Sequence, residues 1–313
     1  MVTLPAHLVA TPVLERLTPG PHDGVVLGAG ATAAWVDLDG FVIAITTREV
    51  PLLPNAIALS AGSGALVGAD AGAGVGRAAR LAPGRVGLGS VQVTWDPAAP
   101  PGWDPTVPVP SGATRQAVGA RGAALLRALG AEGAADDHQH TPSLVRELGR
   151  IGLATAADPE GAAGLAWLFR GIRERDPEPA AAGARALLGR GPGLTPEGDD
   201  LLAAVAGTVA VLGPATGMGR SFLHSFLAAL VDPAPERTTA LSATLLELAA
   251  HGLLAEPAGR LLDLSPAGER AWPAALARLR RLGHGSGRAY AIGIAAACLL
   301  GGAAGDRAVP DRG

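Results

Sequence analysis

The residues with the clearest capacity for chemistry lie in one short segment, residues 189–200, with the sequence GRGPGLTPEGDD. Gly191 and Gly193 can take backbone conformations that other residues rarely adopt. The pair Thr195 and Pro196 predicts a helix start, with Thr195 as N-cap and Pro196 at the first helical position. The segment is therefore predicted to be a glycine loop that leads directly into a helix.

Two consecutive acids, Asp199 and Asp200, would lie in the first turn of that helix, where the helix dipole favours negative charge. Ordinary capping chemistry explains acids at this position, but it does not explain the glycines and prolines upstream. A glycine loop before a helix N-terminus is suited to binding an anion, and paired acids beside it can hold Mg²⁺ or orient an arginine. We predict that this segment is the functional centre.

A second segment, residues 236–242 (ERTTALS), could contribute to the same site. Helical spacing would place Thr238 and Ser242 on one face, four residues apart, with Arg237 at the start. Hydroxyls at helix starts are usually caps, so the segment is weak evidence by itself.

A third segment, residues 281–288 (RLGHGSGR), is another glycine loop that opens a helix. It carries Gly285, Ser286 and Gly287, and it also contains His284, which an ordinary surface turn would explain equally well. Two junctions of this kind make a shared anion site more plausible than either alone.

Three other patterns are better explained without function. The glycines at Gly28 and Gly30 resemble a dinucleotide fingerprint, but a turn at residues 37–40 leaves no room for the required helix. The glycine run 72–77 is typical of a turn. His138 and His140 lie two apart in a polar stretch, and a solvated loop explains them better than a metal site.

The composition narrows the possible chemistry. The chain has 313 residues, 48% of them apolar, a net charge of −3, and arginine as its sole basic residue apart from histidine. A nucleic-acid-binding surface is not indicated, and lysine-dependent chemistry is excluded. The single cysteine, Cys298, lies in an apolar run and is predicted to be a buried core residue. Any phosphate or carboxylate must be bound by arginine, backbone N–H groups, helix N-termini or a metal.

The sequence gives no sign of secretion or membrane insertion. The first fifteen residues contain no basic residue, and the most apolar stretches, 201–212 and 290–301, are shorter than the roughly 20 residues that span a bilayer. A mean hydropathy of +0.29 left a membrane protein as an alternative. We predict a cytoplasmic protein that binds neither membrane nor nucleic acid.

The elements that must position these segments fall into two classes, which predicts an α+β fold. Short apolar runs separated by glycine and proline favour an antiparallel sheet or small barrel. The predicted strands are residues 24–27, 33–36, 41–46, 56–59, 64–67, 85–88 and 90–95.

After a proline-dense linker at 97–110, the pattern becomes helical. The predicted helices are residues 114–130, 143–157, 160–174, 180–189, 197–212, 218–230, 238–250, 266–282 and 286–300. We predict a β-rich domain over 1–110, a larger, mostly helical domain over 111–305, and a disordered tail at 306–313.

The three segments, in this order, resemble the AllH-type family, described as a subunit of oxamate carbamoyltransferase. Its pattern reads approximately Gly-x-Gly-Pro-Gly-Leu-Thr-Pro-Ser-Gly-Asp-Asp, and residues 189–200 match each fixed position except Glu197, where Ser is usual. The region 237–247 is similar to its hydroxyl-bearing helix. Residues 283–289 are similar to its Gly-His-x-Ser-Gly-x-Asp segment, with Ala289 in place of the final Asp.

The resemblance implies a part in carbamoyl transfer: oxalurate and phosphate giving oxamate and carbamoyl phosphate, within a multi-subunit assembly. In this interpretation the chain binds a small anion, phosphate, carbamoyl phosphate or a carboxylate, and meets partner transferase subunits. The predicted catalytic residues are Asp199, Asp200, His284 and Ser286, and Asp199 and Asp200 are also candidate Mg²⁺ ligands. The predicted substrate-binding residues are Gly191, Gly193, Thr195, Arg237, Thr238, Ser242, Gly285 and Gly287. The rival interpretation is a non-catalytic sensor or scaffolding subunit that uses the same site to bind a small anion.

Overall fold

The chain has the α+β architecture that the sequence predicts. A computed structural model describes residues 2–66, 75–110, 112–130, 159–283 and 285–303, and all structural statements concern these residues. Several sequence predictions lie outside them, wholly or in part: the glycine run 72–77, the loop with His138 and His140, the helix 143–157, His284 and the tail 306–313. The division into domains at residue 110 stays a prediction.

Eight strands of the N-terminal region close into a small barrel. The strands are β1 (Val2–Ala10), β2 (His22–Ala29), β3 (Ala33–Leu38), β4 (Phe41–Thr46), β5 (Ala56–Leu59), β6 (Ala78–Ala82), β7 (Arg85–Leu88), β8 (Val91–Thr94) and β9 (Gly102–Trp103). Their order is β5-β4-β3-β2-β6-β7-β8-β1, and β1 also pairs with β5, which closes the barrel. The short β9 is attached to β1 from outside the closed ring.

The closing strand β1 changes partner along its length. Its first half runs parallel to β8, where Val2 lies opposite Val91, and its second half runs antiparallel to β5, where Ala6 lies opposite Leu59. The sequence analysis missed this strand, because a proline at position 5 and weak alternation conceal it. It also missed β6, and the strand predicted at 64–67 is wrong, since residues 63–66 form a turn.

Strand β4 is buried on both faces, which explains its uninterrupted apolar sequence FVIAIT. One face lies in the barrel core, and the helices cover the other. The backbone of Val42 is satisfied by side chains there: its N–H donates to the Thr244 hydroxyl at 2.9 Å, and its carbonyl accepts from Asn55 Nδ2 at 2.8 Å. Thr244 thereby connects the barrel to the helical region.

The helical region follows the predicted pattern closely. The helices are α1 (Thr11–Leu17), α2 (Arg115–Ala128), α3 (Pro159–Glu174), α4 (Pro177–Leu187), α5 (Glu197–Leu212), α6 (Arg220–Val231), α7 (Ala234–Arg237), α8 (Ala240–Ala250), α9 (Glu256–Leu262), α10 (Pro266–Leu279) and α11 (Ser286–Ala303). The short helices α1, α7 and α9 were not predicted, because one or two turns carry too little apolar periodicity to be distinguished from loops.

Helix α11 is the central helix of this region. It packs against α2 and α5, and small residues allow close approach: a Cβ at Gly293 would lie 2.6 Å from the Leu201 carbonyl oxygen. Cys298 is fully buried in α11, as predicted. By length and composition α11 could cross a bilayer, but 72% of it is buried inside the protein, as is usual for a core helix.

Candidate functional site

The glycine segment 189–200 forms a tight loop in front of α5. Gly191 and Gly193 have φ values of 116° and 95°, in the left-handed region that the sequence predicted for them. A side chain at Gly191 would place its Cβ 2.8 Å from the backbone nitrogen of Glu197. Glycine at this position allows the loop to fold back onto the first residue of the helix.

The helix start differs from the prediction in one respect. Pro196, not Thr195, is the N-cap of α5, so the predicted cap is wrong. The Pro196 carbonyl accepts the N–H groups of Asp199 at 2.9 Å and Asp200 at 3.1 Å. Proline offers no side-chain acceptor, and its carbonyl begins the helical hydrogen bonding instead.

The N–H of Gly198 donates to the Arg190 carbonyl at 2.9 Å, so the loop itself satisfies a further donor of the first turn. The first turn also carries three acidic side chains, Glu197, Asp199 and Asp200. An anion at this N-terminus would meet occupied donors and negative charge.

Asp199 holds the loop together from inside. Its carboxylate is buried, accepts the Gly189 N–H at 2.8 Å with Oδ1, and accepts the Thr238 hydroxyl with Oδ2. Burial raises the pKa of Asp199, and these donors, together with the Ser242 hydroxyl, partly offset that effect. Asp199 thus joins the glycine loop to the segment before α8.

Asp200 has the opposite character. It is 5% exposed, and its Oδ2 has no hydrogen-bond partner among the described residues. Burial raises the pKa of Asp200 to about 7; the Ser286 and Thr195 hydroxyls oppose the rise, and the charges of Asp199 and Glu197 add to it. A buried carboxyl that lines a cavity and has a pKa of about 7 can exchange a proton with a ligand near neutral pH.

The third segment lies directly beside this carboxyl. Thr195 Oγ1 and Ser286 Oγ are 3.0 Å apart, so the glycine loop and the start of α11 share a hydrogen bond. Gly285 lies against the Glu197 carboxylate, with which any side chain at position 285 would collide. Burial raises the pKa of Glu197 as well. The two glycine-loop junctions therefore do meet at one place.

The other predicted binding residues occupy different positions. Arg237 directs its guanidinium to the Arg185 carbonyl at 3.1 Å, and within the described chain it forms no ion pair with either aspartate. Thr238 lies before α8, not on it, and contacts Asp199. Ser242 is buried, and its hydroxyl lies close enough to Asp199 to lower the pKa of that carboxyl. The prediction that an aspartate orients Arg237 is therefore wrong.

Gly287 serves packing. Its N–H donates to the Leu282 carbonyl at 2.9 Å, and a side chain at this position would collide with the Leu279 carbonyl oxygen. His284, between Gly283 and Gly285, lies outside the described residues, so its predicted catalytic role stays a prediction.

A cavity of about 520 Å³ lies in front of Asp200. The glycine loop, the start of α11, α8 and the loop after β4 surround it. Its charged lining residues, within the described chain, are Glu197 and Asp200. Hydroxyls of Thr195, Ser286 and Tyr290 lie around these acids, and apolar side chains form most of the remaining wall. This lining suits a ligand with N–H donors more than an anion.

The donor set does not fit the predicted Mg²⁺ site. Both oxygens of Asp199 already accept hydrogen bonds within the loop. In the part of the chain that the structure describes, no group of three or more histidine, cysteine, aspartate or glutamate side chains could hold a metal ion. Mg²⁺ prefers an octahedral shell of oxygen ligands, and Asp200 by itself contributes little of it.

The three segments that form the site fall within one family match. Residues 187–298 match the family model described as oxamate carbamoyltransferase subunit AllH. The resemblance predicted from the motifs is confirmed. The AllH description is that of a subunit, which implies partner subunits for the enzyme it names. No curated protein and no solved structure matches the chain.

The sequence analysis missed the far wall of the cavity. This wall is apolar and comes largely from the barrel and α8: Trp35, Val50, Leu53, Leu241 and Leu245. Such side chains have no distinctive spacing, because it is the packing of the barrel against the helices that brings them together. Tyr290, which also lines the cavity, is held neutral because burial and the charge of Asp200 raise its pKa.

Proposed function

We propose that this chain is a subunit of a carbamoyltransferase and binds the ureido group of the substrate at Asp200. The observation that supports the proposal is the buried Asp200 carboxyl, which lines a cavity where the family-matched segments meet the barrel. A ureido group offers adjacent N–H donors, which a carboxylate can accept in pairs. Its carbonyl oxygen can accept from the hydroxyl of Ser286 or Thr195, which are 3.0 Å apart.

The proposed reaction is oxalurate and phosphate giving oxamate and carbamoyl phosphate. A phosphate oxygen forms a bond to the ureido carbonyl carbon, and the bond from that carbon to the oxamate nitrogen breaks. The phosphate proton ends on the departing nitrogen. Asp200, with a pKa of about 7, is suited to pass this proton, because it can be either acid or base near neutral pH. The hydroxyl of Ser286 or Thr195 that does not donate to the other stabilises negative charge on the carbonyl oxygen.

The carboxylate of the substrate and the phosphate would lie away from Asp200 and Glu197, towards the cavity mouth. Gly193 is exposed there and lines the cavity, so its backbone is the candidate for the predicted anion contact. Partner subunits would complete this part of the site. We further propose that the protein acts in the cytoplasm.

The test combines binding with turnover. Oxalurate at 100 times its dissociation constant should stabilise the protein by about 2.7 kcal/mol, visible as a raised melting temperature, and phosphate alone should give less. Asp200→Asn should abolish the shift, because an amide presents an N–H group where the ligand also has one. Asp23→Asn, at an exposed acid in β2, is the matched control and should keep it.

Turnover is measured with the chain reconstituted with its partner subunits, as carbamoyl phosphate formed. Asp200→Asn should lower kcat/KM at least a hundredfold, the usual contribution of a proton-transfer group. A variant that loses binding but leaves turnover intact would instead identify a non-catalytic sensor. If no ureido compound binds to the protein, the proposal is refuted.

A further inference from the structure

The cavity at Asp200 is much larger and more apolar than a small carboxylate needs. Its volume of about 520 Å³ is in the range of pockets that hold drug-sized molecules. Beyond the polar end, the wall is formed by Trp35, Val50, Leu53, Leu241 and Leu245. Burying an apolar group against such a wall is favourable, whereas a carboxylate placed there would lose its hydration without a counter-charge.

The polar end of the cavity also favours one class of chemical group over another. Asp200 is nine-tenths buried and lines this end of the cavity, and Glu197 lines the same end. Two acids in a partly dry site attract N–H donors and repel anions. One end of the cavity is thus polar and accepts hydrogen bonds, and the other end is apolar.

We propose that this site binds, besides oxalurate, N-substituted ureas whose substituent is apolar, with the ureido group on Asp200 and the substituent against Trp35, Leu53 and Leu245. This inference rests on the proposed function for the identity of the head group. It adds that the apolar wall binds a hydrophobic substituent more tightly than it binds the carboxylate of oxalurate.

The experiment is a calorimetric titration of the full-length protein with N-methylurea, N-propylurea, N-pentylurea and oxalurate. Affinity should rise about fourfold for each added methylene, the fold-change that corresponds to about 0.8 kcal/mol per buried CH₂. N-pentylurea should bind more tightly than oxalurate. Asp200→Asn should abolish binding of the whole alkyl series.

A wall variant tests the apolar body separately. Leu245→Asn should remove most of the dependence on chain length while leaving the affinity for N-methylurea within about twofold. Leu245 is half-buried, so the variant should fold. The control is Leu227→Asn, at an equally half-buried leucine of α6 outside the cavity lining, which should leave the series unchanged.

The outcomes separate the two proposals. Equal affinity across the alkyl series, with oxalurate bound through Asp200, would overturn this inference and leave the proposed function standing. Binding of n-pentylammonium with no binding of any urea would overturn both, because the head group would then be a cation.

Discussion

Asp199 and Asp200 are neighbours with the same side chain, but their surroundings give them different tasks. Asp199 receives hydrogen bonds from the Gly189 backbone and the Thr238 hydroxyl, and these bonds hold the loop. Asp200 has an oxygen without a partner among the described residues and faces a cavity. The two buried carboxyls are thus told apart by the donors around them, not by their burial.

The buried carboxyl of Asp200 predicts an unusual dependence of stability on pH. Its pKa is about 7 in the folded protein and close to 3.8 when unfolded, so the folded state binds the proton more tightly. The free energy of unfolding should therefore fall as pH rises through this window, by up to about 4 kcal/mol from this residue. Thermal denaturation at pH 4.5 and pH 8 measures the change.

Asp200→Asn isolates this contribution, because an amide does not titrate. The variant should gain stability relative to the wild type at pH 8 and show a weaker dependence on pH. Asp23→Asn, at an exposed position, should follow the wild type. An unchanged pH profile in Asp200→Asn would mean that Asp200 is not the titrating group.

At the residue scale the sequence predicted where the candidate site lies but not the role of each residue in it. The motifs correctly brought residues 189–200 and 281–288 together, since both are glycine loops before a helix. They did not distinguish Asp199 from Asp200, and they misassigned Arg237, whose guanidinium contacts the Arg185 carbonyl. Roles depend on which donors tertiary packing supplies, and this information is absent from local spacing.

At the scale of elements, the two helix starts are held in position by glycines that allow backbone contact. Gly287 in the first turn of α11 packs on the Leu279 carbonyl at the end of α10, and Gly198 packs on the Leu187 carbonyl at the end of α4. At each of these glycines a Cβ would collide with backbone atoms. Backbone atoms cannot move aside as the end of a flexible side chain can.

Gly287→Ala should therefore lower the free energy of unfolding by about 3 kcal/mol, at the upper end of overpacking costs, although alanine is the better helix former. It should also weaken ligand binding, because Ser286 would shift with the helix start. The control is Gly219→Ala, where a Cβ meets nothing within 4 Å. Thermal denaturation and oxalurate titration of both variants measure the difference, and equal stability would contradict this packing role.

The sequence predicted helices well where their apolar periodicity extends over several turns. The bounds of α5, predicted at 197–212, are correct to the residue. Prediction failed for short or interrupted elements, as with α9 and β1, where Pro5 conceals a strand that tertiary pairing imposes. The closed barrel was foreseen as one of two possibilities, but its parallel pairings, such as β4 with β5, were not.

At the scale of the whole molecule, the barrel and the helices share structure at α8. Leu248 of α8 is part of the barrel core, and the Thr244 hydroxyl accepts the buried N–H of Val42. The cavity lies across the same junction, since Trp35 comes from β3 and Leu245 from α8. The helix α8 therefore contributes to both the barrel core and the wall of the cavity.

Thr244→Val should destabilise the protein by about 2 kcal/mol, because the near-isosteric change leaves the Val42 N–H buried without an acceptor. Thr208→Val is the control: the Thr208 hydroxyl donates to the Ala204 carbonyl of its own helix, so its loss should cost little. Tryptophan fluorescence and far-UV circular dichroism should report one shared transition. Two separate transitions in the wild type would show that the barrel unfolds independently.

The way in which β1 closes the barrel also bears on how the chain is made. Val2 and Ala6 pair with Val91 and Leu59, so the strand is synthesised long before its partners. At a synthesis rate of about 5–20 residues per second, it waits on the order of ten seconds before β8 emerges. A waiting strand is a template on which other nascent chains can aggregate. Pro5 has no N–H to donate, so it interrupts the row of donors that this strand presents before the barrel closes.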